Sequence, residues 1–180
     1  MKKVYLAIIL ICCFLVSCSK EESIVEDTNY HLSCSIDGVA MTFNVNSGAV
    51  ELNDNGSWLL GFGGINADSA NAATLAIGIY ATQPGIKVPA GTYTDNGTSF
   101  QLMSTFSDVF NQVDYNAGQE MYNIAQDAGA TIANHLQVQV TELNDKFIRG
   151  NFSGDYYESS EIEGSIKRIT NGDFYLLIQQ

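Results

Sequence analysis

Four carboxylates near the C-terminal end of the chain are spaced closely enough to suggest acid–base chemistry. They are Asp155, Glu158, Glu161 and Glu163. Two carboxylates at a suitable separation can hydrolyse a glycosidic bond, one as the acid and the other as base or nucleophile. Glu161 and Glu163 alternate with Ile162, however, which is typical of the solvated face of a strand. A hydrolase that uses this group stays an alternative, and we assign no catalytic residue.

The histidines offer little further chemistry. His31 and His135 are the two imidazoles of the chain, and neither accompanies the Gly-x-Ser-x-Gly elbow of a serine hydrolase. No His or Cys spacing is typical of a zinc site. The loops at Asn53–Asn55 and Asp68 lack the spaced oxygens of a calcium loop, so at most weak calcium binding is expected there. The sequence thus predicts no enzyme, no resident metal and no cofactor.

Aromatic side chains offer a different chemistry, which is the stacking of a sugar ring. Trp58, Tyr156 and Tyr157 are the candidates, because their rings combine an apolar face with a polar atom. Tyr156 and Tyr157 are adjacent in a predicted strand, so one of the two should point outward. Strands also favour aromatic residues for packing alone. We treat the three rings as a candidate ligand platform.

The first residues of the chain predict export and lipid attachment. Lys2 and Lys3 precede an apolar run, Val4–Val16, that is too short to cross a bilayer as a helix, which takes roughly 20 residues. A charged start followed by a short apolar run is typical of a signal peptide. The run ends in Leu-Val-Ser-Cys, which resembles the lipobox of bacterial lipoproteins. That resemblance implies cleavage after residues 1–17 and a membrane anchor through lipid on Cys18.

Residues 18–28 are predicted to form a flexible acidic tether, because the segment is charged and poor in apolar residues. Within it, Lys20, Glu21 and Glu22 are similar to the surface-export signal of Bacteroidetes lipoproteins. This resemblance implies an outer-membrane protein displayed at the cell surface, and a periplasm-facing protein is the alternative. Asp68-Ser69-Ala70 resembles an O-glycosylation site of the same bacteria, so Ser69 is a candidate for modification.

Composition narrows the classes of partner. The formal net charge of −12 repels phosphate backbones, so nucleic-acid binding is not expected. Of the four cysteines, Cys12 and Cys13 lie in the leader and Cys18 would carry lipid. Cys34 is then left alone in an alternating strand, where we expect a buried small hydrophobic side chain. The remaining residues, 29–180, are enough for one domain with a single core.

That domain is predicted to consist of strands and tight turns. Asp37-Gly38 separates two alternating segments, Tyr30–Ile36 and Val39–Val45, and is a strong hairpin signal. The segment 104–133 is the least regular, and we predict a loop with one or two helical turns and a strand near Glu120–Ile124. Elsewhere, Asn-Gly and Pro-Gly turns separate the alternating segments.

The last third has the clearest alternation. Ile148, Phe152 and Tyr156 share one face, and we predict a turn at Thr170-Asn171-Gly172 between strands Ile162–Ile169 and Phe174–Ile178. Short alternating strands joined by tight turns indicate an antiparallel sheet with one solvated face. The fold class is therefore all-β, an antiparallel β-sandwich or partly closed barrel of about nine or ten strands.

Several turn and strand motifs together resemble an uncharacterised family of Bacteroidetes lipoproteins. They are Ser35-Ile36-Asp37-Gly38, Gly91-Thr92-Tyr93, Gly150-Asn151-Phe152-Ser153 and Thr170-Asn171-Gly172-Asp173-Phe174. Asn151 stands where that family usually has Thr, and the family has no assigned activity. We expect a lipid-anchored, non-enzymatic binding or accessory module for a carbohydrate or protein. A lipocalin-like carrier of a small apolar ligand and a purely structural envelope component are the alternatives.

Overall fold

The computed structural model describes residues 29–69, 71–158 and 161–179, apart from the side chain of Asp54. Eleven strands and one helix, α1, make up this part of the chain. The strands are β1 His31–Ile36, β2 Val39–Thr42, β3 Val45–Asp54, β4 Ser57–Asn66, β5 Ala73–Ala81, β6 Gly91–Thr94, β7 Phe100–Asp108, β8 Val113–Gly118, β9 Gln137–Leu143, β10 Phe147–Glu158 and β11 Ile166–Gln179. Helix α1 spans Gln119–Asp127 between β8 and β9.

The strands form two layers that face each other. The first layer has the order β2-β1-β11-β10-β9-β6, and the second has the order β3-β4-β5-β7-β8. Pairings between strands are antiparallel except for a short parallel contact of β3 with β11. That contact and a two-residue pairing of β8 with β10 join the layers along their edges. The prediction of an all-β sandwich is confirmed, with a partly ring-like sheet that is not a barrel.

The core fills the space between the two layers. Phe62 of β4 and Phe174 of β11 meet there with ring centroids 4.3 Å apart. Tyr156 of β10 is fully buried, and its hydroxyl pairs with Ser104 Oγ of β7 at 2.7 Å. Ser104 Oγ in turn donates to the carbonyl of Ala76 at 2.8 Å. The buried hydroxyl groups of Tyr156 and Ser104 therefore both have hydrogen-bond partners. The core is thus closed by large side chains from both layers.

Helix α1 replaces the strand that the sequence predicted near Glu120–Ile124. Met121 and Ala125, one helical turn apart, are buried against Tyr157 and Ile132 in a small second core. The helix ends at Asp127, and Gly129 follows its C-cap, Ala128, with a φ of 67° that allows the amides of Gly129 and Ala130 to bond back to the last turn. The helical spacing of these side chains therefore prevails over the strand prediction.

The predicted turn at Thr170-Asn171-Gly172 is wrong, because β11 runs unbroken through it. Asn171 adopts a positive φ of 51°, and the pairing of β11 with both neighbours shifts register at this point. A residue in this conformation inserts a bulge as readily as it closes a turn. The bulge changes the phase of alternation, so that Ile169 and Gly172 both face inward. The strand predicted at Ile162–Ile169 begins only at Ile166.

None of the helices in the described ranges is long and apolar enough to cross a membrane. The predicted signal peptide, Cys18, the tether and Lys20-Glu21-Glu22 lie outside the described residues.

Candidate functional site

The three rings that the sequence singled out do not form a platform. Tyr156 and Tyr157 are both buried, at 0% and 3% exposure, so neither presents a face to a ligand. Tyr157 does point away from Tyr156, as alternation requires, but helix α1 and Ile132 cover it. Trp58 is half-buried, and the Lys87 ammonium lies 4.5 Å from its ring centroid. A covering helix, which strand alternation does not reveal, explains the error at Tyr157.

The carboxylate group is not an exposed cluster. Asp155 is buried and holds Arg168, whose Nε donates to Oδ1 at 2.9 Å. Asn134 Nδ2 donates to the other oxygen at 2.8 Å, which ties the segment before β9 to β10. Glu161 and Glu163 lie exposed in the turn before β11 rather than on a strand. The structure therefore engages Asp155 in internal contacts, away from any shared site with these glutamates.

Asp95 is a buried carboxylate that the sequence did not single out. It accepts hydrogen bonds from His135 Nδ1 at 2.7 Å and from the backbone amide of Leu136 at 3.0 Å. His135 is 41% exposed and precedes β9, as expected for a strand-end residue. The pair anchors the start of β9 to the turn after β6.

A set of aromatic rings lies on the outer face of the first layer, where three strands run side by side. We call Tyr30, Phe147 and Tyr175 the aromatic platform. The ring centroids of Tyr30 and Tyr175 are 4.7 Å apart, and those of Phe147 and Tyr175 are 5.1 Å apart. All three side chains are half-buried, so each packs at one edge and keeps part of its surface in solvent. Such rings offer apolar area at low entropic cost.

Polar side chains extend the platform across the layer. Asp173 of β11 is in register with Ser33 of β1 and Asn151 of β10, and Asn151 is in register with Gln139 of β9. Thr92 of β6 continues the row beyond Gln139. With strands about 4.8 Å apart, a row over five strands spans roughly 19 Å. Asn151 Nδ2 donates to Gln139 Oε1 at 3.0 Å, so the amides of the polar row are already ordered.

Charged groups border the aromatic platform on both sides of Tyr175. The Arg149 guanidinium carbon lies 5.8 Å from the Tyr175 ring, within the range of a cation–π contact. His31 Nδ1 faces the Asn29 carbonyl at 2.6 Å, and its Nε2 faces the Asp173 carboxylate. The pKa of His31 is raised, first by the hydrogen bond to Asn29 and then by Asp173. Acceptors at both ring nitrogens explain this, because only the imidazolium can donate to both.

The outer face of the second layer carries an open groove of about 560 Å³ over β3, β4, β5 and β7. Its floor is backbone at Gly48, Gly61, Gly63 and Gly78, and its walls include Val50, Leu59, Ile65, Tyr80 and Met103. No Asp, Glu, Lys, Arg or His lines this groove in the part of the chain that the structure describes. Its size falls within the range of small-molecule sites.

Other predicted sites are placed as follows. Cys34 is buried on the inner face of β1, and burial raises its pKa to about 12, so it is a packing residue rather than a reactive thiol. Ser69 is exposed in the loop between β4 and β5, where a modifying enzyme could reach it. Within the described ranges, no three His, Cys, Asp or Glu side chains are grouped to hold a metal ion.

The aromatic platform was missed because its members are far apart in sequence. A signal for it was present, since inward Phe174 and Leu176 imply that Tyr175 points outward. Inward Ile148 likewise implies outward Phe147 and Arg149. What alternation does not supply is the pairing of β10 and β11, which brings these residues together.

Comparison with protein-family models, curated proteins and solved structures finds no match for this chain.

Proposed function

We propose that this chain is a lipid-anchored envelope protein whose β-sandwich binds a carbohydrate, without catalysis, through the aromatic platform. The observation that carries the proposal is Tyr175, half-buried between Tyr30 and Phe147 beside a row of exposed polar side chains. Sugar rings have apolar C–H faces and polar edges, and this surface offers rings and hydrogen-bonding groups in the same arrangement.

The polar row fits a chain of sugars better than a single one. Its amides, carboxylate and hydroxyls alternate donors and acceptors over five strands, as do the hydroxyl groups of an oligosaccharide. The surface is open rather than enclosed, which suits a polymer that continues past the site. A protein partner of similar polarity is the second occupant that this surface would accept.

The envelope location rests on the first residues of the chain. Leu15-Val16-Ser17-Cys18 supports lipid attachment at Cys18, and Lys20-Glu21-Glu22 supports display at the surface. The resemblance of the strand and turn motifs to Bacteroidetes lipoproteins supports the same location. A tethered module at the cell surface would meet polymeric glycans directly.

Immobilised glycans test the binding proposal. The purified full chain should bind a subset of oligosaccharides, and Tyr175→Ala should weaken that binding about tenfold, because a stacked ring contributes roughly 1 kcal/mol or more. Tyr80→Ala is the matched control, since Tyr80 is also a partly exposed tyrosine on an outer face, but in the second layer. Trp58→Ala serves as a second control.

Two results would contradict the proposal. One is that the full chain binds none of the immobilised glycans. The other is equal loss in the Tyr175 and Tyr80 variants, which would indicate a general effect of the substitution.

Cell fractionation and protease shaving test the location. Cys18→Ser should release the protein from the membrane fraction, because it removes the acyl attachment point. Replacement of Lys20-Glu21-Glu22 by alanines should protect the domain from protease on intact cells, while the native chain is cleaved. Protection of both chains would place the domain in the periplasm.

The groove of the second layer favours a second candidate function, the carriage of a small uncharged apolar molecule. Its walls are apolar and its lining lacks charge, although the protein as a whole has a net charge of −12. This replaces the internal cavity of a lipocalin-like barrel with an external site, because the space between the layers holds Phe62, Phe174 and Tyr156.

A further inference from the structure

Arg149 occupies the centre of the charged border of the aromatic platform. It is the cross-strand partner of Tyr175 on one side and of Glu142 on the other, and Tyr175 in turn pairs with His31. The side chain of Arg149 is exposed, and its guanidinium lies over the Tyr175 ring. A ligand ring seated on the aromatic platform would therefore meet this guanidinium at its edge.

Arg149 is one of two basic residues in the described part of the domain that form no ion pair with a carboxylate there. Lys87 pairs with Glu51 at 3.4 Å, Lys167 with Asp37 at 3.0 Å, and Arg168 with Asp155 at 2.9 Å. By contrast, neither Arg149 nor Lys146 forms an ion pair with any carboxylate in residues 29–69, 71–158 and 161–179.

These two unpaired bases lie on either side of Phe147, one of the three rings of the aromatic platform. Arg149 has Glu142 as its cross-strand neighbour and still leaves it unpaired. In a protein with 20 Asp and Glu against 8 Lys and Arg, two bases without an ion-pair partner, which flank the half-buried Phe147 in the sequence, are a local enrichment of positive charge. That enrichment of positive charge is complementary to an anion.

The negative groups nearby offset this charge only in part. Asp173 is held by His31, which also lies close enough to Arg149 to interact with it electrostatically. Glu142 is the remaining carboxylate that faces Arg149 from a neighbouring strand. The charged groups around the aromatic platform are thus His31, Asp173, Glu142, Lys146 and Arg149. His31 pairs with Asp173. Of the three that form no ion pair within the described residues, Lys146 and Arg149 are positive and Glu142 is negative.

The chemistry of the guanidinium narrows the anion further. Arginine presents a planar fork of N–H donors that matches a carboxylate in a two-point contact, and it stacks on aromatic rings at the same time. A sugar that carries a carboxylate places this group at the edge of its ring, next to the stacked face. Arg149 would thus contact both the carboxylate and the stacked ring of such a sugar.

We propose that the aromatic platform recognises an acidic saccharide of the uronic-acid class, with Arg149 as the partner of its carboxylate. This inference rests on the proposed function, because it requires that a sugar ring stacks on the aromatic platform. It adds the chemical class of the ligand and names the residue that selects it.

Oligouronates and their methyl esters provide the test, because esterification removes the charge and keeps the rings. The panel comprises oligomers of glucuronate, galacturonate, mannuronate and guluronate, each titrated calorimetrically against the full chain. The native chain should bind at least one acid form about tenfold more tightly than its ester. Arg149→Gln should weaken binding of the acid much more than binding of the ester, so that the preference for the acid is lost.

Two further variants separate a specific contact from a general effect of charge. Arg149→Lys keeps the charge and loses the planar pair of N–H donors, so it should retain only part of the preference for the acid over the ester. Lys87→Gln removes one positive charge from the loop between β5 and β6, beside Trp58, and should leave the preference for the acid over the ester intact. Added salt should weaken binding of the acid form more than binding of the ester, because salt screens the attraction between charges.

The outcomes distinguish this inference from the proposed function. If acid and ester bind equally and Arg149→Gln changes neither, the inference is overturned while glycan binding stands. If none of the oligouronates or esters binds but other glycans do, the inference is overturned and the proposed glycan binding stands. If no glycan of any kind binds, the proposed function fails and the inference fails with it.

Discussion

The two outer faces of the sandwich are built from the same kind of strand and carry opposite kinds of side chain. On the first layer, the outward positions of β10 and β11 hold Phe147, Arg149 and Tyr175. On the second layer, those of β4 and β5 include Gly61 and Gly78. One face thus presents rings and charge, and the other exposes backbone in an uncharged groove.

This contrast separates what the core requires from what the surface is free to vary. Many inward positions on both layers are large and apolar, as Phe62 and Phe174 illustrate. Outward positions contribute little to that core, so packing does not explain why one face has rings and the other glycines. The binding role proposed for each face would explain it.

The largest expected effect comes from glycines that the two layers use differently. A Cβ at Gly150 on the inner face of the first layer would lie 1.9 Å from the Gln139 carbonyl oxygen and 2.6 Å from Phe174. Gly150→Ala should therefore lower the free energy of unfolding by about 3 kcal/mol. A Cβ at Gly61 would find only ordinary contacts, the nearest at 3.5 Å from Val50. Gly61→Ala should stay within about 0.5 kcal/mol of the native chain in urea unfolding.

Equal stability of these two variants would contradict the difference between Gly150 and Gly61. It would mean that Gly150 does not sit at a close approach of strands, and that the inner face of the first layer is loosely packed. A variant Gly150→Ala that fails to accumulate agrees with the expectation, provided that Gly61→Ala accumulates normally.

A medium effect is expected from filling the groove of the second layer. Gly61→Leu places an isobutyl group on its floor, which should reduce binding of the uncharged dye Nile red about tenfold. The same variant should leave binding to glycans unchanged, because the aromatic platform lies on the opposite face. Unchanged dye binding would show that the groove is not an apolar site.

The smallest effect concerns pH and belongs to the first layer alone. Because the pKa of His31 is raised in the folded chain, its contribution to stability is complete below about pH 6.5, its ordinary pKa. That contribution is lost as the pH rises through the raised value. Melting temperatures measured between about pH 6 and pH 9 should thus show a shallow decline that His31→Gln reduces. An unchanged decline in this variant would contradict the assigned contacts of His31.

The sequence predicted those parts of the fold that depend on local alternation. The hairpin at Asp37-Gly38 is confirmed, with β1 and β2 paired around it. The inward faces of β9 and β10 are confirmed as well, since Val138, Ile148 and Phe152 are buried. In each case, alternation with a period of two residues and a turn signal are sufficient to predict the strand and its buried face.

The remaining features depend on contacts between distant segments. An Asn-Gly pair with a positive φ favours a turn and a bulge equally, and only the pairing of β11 with two neighbours fixes the bulge at Asn171. The burial of Tyr157 depends on a helix that begins far from it in sequence. The aromatic platform joins Tyr30, near the start of the domain, to Tyr175, near its end.

The most direct test of the central claim is amide chemical-shift mapping of the isotope-labelled full chain during titration with the oligouronates and their esters. Binding to the aromatic platform predicts shifts that concentrate at Tyr30–His31, Phe147–Asn151 and Asp173–Tyr175, with the groove of β4 and β5 unaffected. Shifts confined to β4 and β5, or no shifts on either face with any of these saccharides, would contradict the assignment of the first layer as the binding face.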